Sequence, residues 1–172
     1  MNDLKMKKDK NIIINEALFS FKLQLQVGLI TFKEIQDWAD QQLLIDNNDI
    51  VILDICFLTN EDEVRDYIND FFRYDVNIDI EKVALKVFKQ YFENKMSKLL
   101  DSQLNDHILN LKLLADYLFD INYRLGEATL DGYITGYDDD ITGAQKGGRS
   151  ITPQEIYVKL YQYLQNWISR FS

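Results

Sequence analysis

The residues best suited to chemistry crowd into one short stretch, Gly126 to Gly148. It holds six of the seven glycines (Gly126, Gly132, Gly136, Gly143, Gly147 and Gly148), the carboxylates Asp131, Asp138, Asp139 and Asp140, and the phenols Tyr133 and Tyr137. The four carboxylates could offer oxygens to a hard cation such as calcium, although their spacing departs from Asp-x-[Asp/Asn]-x-[Asp/Asn]-Gly. Lys146 and Arg149 beside Gly147-Gly148 could instead hold an anion at the start of the last helix, with the acidic neighbours opposing it. Tyrosines set among glycine and aspartate also suit a recognition surface, because they supply contact area while glycine admits a partner closely. The plainest reading is a structural excursion, either a long loop over 126–150 or a short hairpin turning at Asp131-Gly132 or Thr135-Gly136.

Outside that stretch the catalytic vocabulary is thin. The chain has no Gly-x-x-x-x-Gly-Lys-[Ser/Thr], no Gly-x-Ser-x-Gly, no Cys-x-x-Cys and no His-Glu-x-x-His. That removes the common phosphate cradles, the nucleophile elbow and the usual zinc patterns. His107 is the only histidine and Cys56 the only cysteine. His107 borders the apolar stripe of its helix and reads as a satisfied structural histidine, and Cys56 as a small core residue. Asp116, Asp120 and Arg124 recur every four residues, which places them on one helix face with Asp120–Arg124 as an ion pair. Asp54 interrupts an apolar run and marks the outward stripe of a helix.

The formal net charge is −9 over 172 residues, with a pI near 4.6. This balance argues against nucleic acid, whose phosphates demand clustered lysine and arginine. It favours a partner with a basic surface. No apolar run reaches the ~20 residues of a membrane span, and Ile12-Ile13-Ile14 after the N-terminal lysines is too short for a signal core. The expectation is a cytoplasmic protein that uses no membrane and no cofactor. A homo-oligomer that buries Tyr161, Tyr163 and Trp167 is a further reading.

The elements that must position these groups are helices. Residues 1–11 read as a flexible basic tail, and residues 12–172 as a single helical domain. Ile14, Ala17, Leu18, Phe21 and Leu25 recur at helical spacing up to Gly28. Thr31-Phe32-Lys33-Glu34 matches a capping box, and Thr152, Pro153 and Glu155 mark the clearest helix start. Asp46 to Asp49 and Asp101-Ser102 read as turns. Residues 50–58 fit either a buried strand or a short core helix, with the helix favoured by context. The fold class expected is all-α: an irregular bundle of six or seven amphipathic helices, carrying residues 126–150 as one long Gly/Asp-rich loop or short hairpin.

The segment Val27-Gly28-Leu29-Ile30-Thr31-Phe32-Lys33-Glu34-Ile35, with Trp38-Ala39-Asp40, resembles openings of uncharacterised bacterial helical families. The small, acidic, motif-poor character resembles the immunity proteins of polymorphic-toxin and contact-dependent inhibition systems. That resemblance implies a non-enzymatic inhibitor that covers a basic site on a partner. The candidate contact residues, drawn from the glycine-rich stretch itself, are Asp131, Tyr133, Tyr137, Asp138, Asp139 and Asp140. The rival is a metal-dependent enzyme or metal-binding protein using Asp131, Asp138, Asp139 and Asp140.

Overall fold

A computed structural model describes residues 2–45, 48–73, 77–96 and 103–171, with side chains from residue 11 onward. The expected turns at Asp46-Asn47 and Asp101-Ser102 lie outside the described residues. The described residues are helical, and no strand occurs among them. Two compact units divide the chain, residues 1–83 and residues 84–172.

Unit 1 holds α1 (Asn2–Gln26), α2 (Phe32–Ile45), α3 (Ile50–Phe57) and α4 (Glu61–Phe71). The expected basic tail is corrected: α1 runs through residues 2–11, because nothing in them breaks a helix that Ile14, Leu18, Phe21 and Leu25 anchor in the core. The ambiguous segment is a helix, capped by Asp49, whose side chain accepts from the Val51 and Ile52 amides. Its Ile52 and Ile55 pack with Ile35 and Ala39 of α2 and Val64 and Ile68 of α4. Trp38 meets Phe21 edge-on at 4.9 Å. Asp54 faces outward and accepts a hydrogen bond from the Tyr67 hydroxyl at 3.1 Å.

The boundary between the units falls in the first turn of α5 (Ile80–Tyr91). Unit 2 continues with a π turn (Phe92–Met96), α6 (Leu104–Ala115), α7 (Phe119–Arg124), α8 (Leu130–Gln145) and α9 (Pro153–Ile168). A 3-10 turn over Asp116–Leu118 interrupts the periodic run between α6 and α7. Asp116 is therefore taken out of the regular face expected with Asp120 and Arg124, while the exposed Asp120–Arg124 pair forms at 3.3 Å. This break and the added helix α8 explain why the described residues hold more helices than the six or seven expected.

The largest correction concerns residues 126–150. They are neither a long loop nor a hairpin, since sixteen of them form α8. Thr129 caps it by accepting from the Gly132 amide. Gly126 before it and Gly147 after it take left-handed backbone, φ +68 and +73, so these two glycines end α7 and α8 as helix-stop residues. Between them Leu130, Ile134 and Ile141 are fully buried at helical spacing. Each contributes roughly 1.5–3 kcal/mol of burial. Gly132, Gly136 and Gly143 cost about 1 kcal/mol each inside a helix. Packing therefore outweighs propensity, and α8 forms against α6 and α9.

Candidate functional site: a glycine-floored groove on α8

Helical periodicity sorts the six candidate residues onto different faces. Asp131 and Asp138, seven apart, turn towards the α6 side. Asp138 Oδ2 accepts from Lys112 Nζ of α6 at 3.0 Å, in an ion pair whose side chains are 32% and 29% exposed. Asp131 lies close enough to Asp116 that burial and then its negative charge push the Asp116 carboxyl above its ordinary range. Asp138 thus belongs to the scaffold, and Asp131 lies on the same side of the helix. They do not join Tyr133, Tyr137, Asp139 and Asp140.

Those four residues line one open groove of about 590 Å³, together with Gly132, Gly136 and Arg149. Gly132, Gly136 and Asp139 share a helix face at spacings of four and seven. Tyr133, Tyr137 and Asp140 form the neighbouring row. Tyr133 keeps 42% of its surface exposed, yet its ring rests 4.9 Å from that of Tyr163 on α9. Tyr137 approaches the same ring at 6.2 Å. Burial, followed by the nearby Glu127 charge, pushes the Tyr163 hydroxyl well above the usual phenol range.

Arg149 closes one end of the groove. Its guanidinium pairs with Asp140 at 2.5 Å, and its side chain lies over Gly143, where an added Cβ would stand 3.1 Å from Arg149 Nε. At Gly132 a Cβ would meet the capping hydroxyl of Thr129 at 3.1 Å. Gly136 alone of these three has nothing within 4 Å. Asp139 makes no ion pair or side-chain hydrogen bond among the described residues. The groove therefore has a bare backbone floor at Gly136, an aromatic wall at Tyr133 and one unneutralised carboxylate at Asp139.

The four carboxylates considered for a metal do not converge, and among the described residues no three His, Cys, Asp or Glu side chains lie together in a way that could hold an ion. Tyr161 and Trp167, considered for a homodimer, are engaged within unit 2: Tyr161 stacks on Phe92 at 4.7 Å and Trp167 is buried against Phe88.

Sequence reasoning missed a second polar cluster. His107 of α6 is buried, and its Nδ1 lies 2.9 Å from the Tyr91 hydroxyl, which also accepts from Asn110 Nδ2 at 3.0 Å. The Tyr157 ring of α9 stands 6.4 Å away. His107 Nε2 and Tyr157 Oη are buried without a partner among the described residues. The expected satisfied histidine is satisfied on one side only. Sixteen residues separate Tyr91 from His107, and no local pattern announces such a pair.

No protein-family model, curated protein or solved structure matches this chain. Among the described residues no helix is long and apolar enough to cross a membrane.

Proposed function

We propose that the protein is a non-enzymatic binding module that receives a basic segment of a partner protein in the α8 groove. The supporting observation is Gly136 in the middle of a helix, where an added Cβ would meet nothing within 4 Å and glycine costs about 1 kcal/mol relative to alanine. A bare floor lets a partner's backbone approach α8 closely, Tyr133 offers a ring face to a lysine or arginine stem, and Asp139 meets the charge. The lining residues include no histidine, cysteine or serine, which fits capture better than turnover. Inhibition of a toxin by covering its basic site, as immunity proteins do, is one use such a groove would serve.

The groove is tested by NMR titration with an arginine-rich peptide as the probe. Shifts should concentrate at Gly132, Tyr133, Gly136 and Asp139 and shrink in a Gly136→Gln variant. Shifts spread evenly over the acidic surface, or unaltered by the substitution, would remove the groove from the reading. Co-purification with the product of an adjacent toxin-like gene tests the immunity role separately.

A further inference from the structure

Unit 2 contains one buried imidazole, and its hydrogen bonds run in a single direction. Asn110 Nδ2 can only donate, so Tyr91 Oη accepts from it. The phenol's own proton then goes to His107 Nδ1, which must be the unprotonated nitrogen of the ring. The opposite order would leave the Tyr91 proton without an acceptor among the described residues. Tyr91 is the last residue of α5, where the backbone passes into the π turn, a distortion often found at functional positions. The chain Asn110–Tyr91–His107 thus joins α6 to the end of α5, and the His107 ring faces Tyr157 of α9.

We propose that His107 is a proton-operated latch: protonation at Nδ1 abolishes the Tyr91-to-His107 hydrogen bond in its present direction and loosens the packing of α5, α6 and α9 in unit 2. A protonated Nδ1 and the Tyr91 hydroxyl would both present a proton to each other, so either the bond is lost or the phenol turns its proton away from the ring. Among the described residues no carboxylate is hydrogen-bonded to the ring to hold the cation. Asp106 on the same helix favours the proton from an exposed position, and Lys95 of the π turn opposes it. Tyr157 on α9 is neutral, and Asp138 of α8, which packs on α6, is already taken by Lys112.

Burial sets the direction, holding the imidazole below its ordinary value of 6.5. The unfolded chain takes up its proton first as pH falls. Stability is therefore whole above 6.5 and declines as pH drops from there to the lower value of the folded state. Unit 1 contains no histidine, so this response belongs to unit 2.

Because His107 is the only histidine, its ring carbon protons give one titrating NMR signal. Its midpoint should lie below 6.5 in the wild type and rise in Tyr91→Phe, which removes the bond that the neutral ring enjoys. Protection factors of α6 and α9 amides should fall between about pH 7 and pH 5, and His107→Gln should abolish that fall. A midpoint at or above 6.5, or an unmoved midpoint in Tyr91→Phe, would overturn the proposal. Protection that holds through that range would overturn it as well, so if His107→Gln does not fold, the two midpoints and the wild-type protection still decide.

Discussion

Lys112 Nζ holds Asp138 Oδ2 at 3.0 Å, so the first aspartate of the acidic run is a strut between α6 and α8. Its neighbour Asp139, one residue on and about 100° around the helix, points into the groove. Adjacent and chemically identical residues thus have separate jobs. Asp138→Asn should lower stability by about 1 kcal/mol, the upper range for a partly exposed pair, and leave probe affinity unchanged. Asp139→Asn should do the reverse, weakening capture with stability altered by less than about 0.5 kcal/mol. Urea midpoints and titrations on both variants check the split.

A glycine inside α8 and the glycine that ends it should respond with opposite signs. Gly136→Ala meets open space and should raise stability by up to about 1 kcal/mol, while its methyl group lifts the groove floor and weakens probe binding. Gly147→Ala forces a Cβ into left-handed backbone at φ +73 and should cost about 1 kcal/mol. Thermal unfolding of the two variants gives the comparison. Loss of stability in Gly136→Ala would mean that the floor is covered.

Three helices begin with the same carboxylate device. Glu34, Glu63 and Glu155 accept from the amide and hydroxyl of Thr31, Thr59 and Thr152. These bonds hold each carboxyl below its ordinary value of 4.5. A lowered folded-state value means that the stabilisation is present above 4.5 and is lost as pH falls through the folded value. The amide signals of Thr31, Thr59 and Thr152 should therefore shift together in acid, below pH 4.5. Thr152→Ala should cost about 1 kcal/mol at neutral pH, and Thr152→Ser much less.

The caps at Thr31 and Thr152 were legible from spacing alone, and so was the helical class, because Thr-x-x-Glu and a 3.6-residue apolar period act within a few residues of chain. The helix over residues 130–145 was hidden by its own composition. Six glycines over 126–148 suggest a loop, yet Leu130, Ile134 and Ile141 carry the helical period past Gly132, Gly136 and Gly143, and their burial against α6 and α9 decides the outcome. The grouping of Tyr133, Tyr137, Asp139 and Asp140 depended on that helix, so Asp131 and Asp138 could be separated from them only once the period was fixed. The contacts of Tyr163 and Arg149 are tertiary, as is the Tyr91–His107 bond, and no short-range pattern encodes them.

The boundary at residue 83 falls between the only two tryptophans, Trp38 and Trp167. Each is packed against phenylalanine in its own unit. The molecule therefore carries one tryptophan per unit. Trp38→Phe would leave tryptophan emission that reports only on residues 84–172, and Trp167→Phe only on residues 1–83. Melting curves recorded on this pair would reveal whether the two halves come apart together or in sequence.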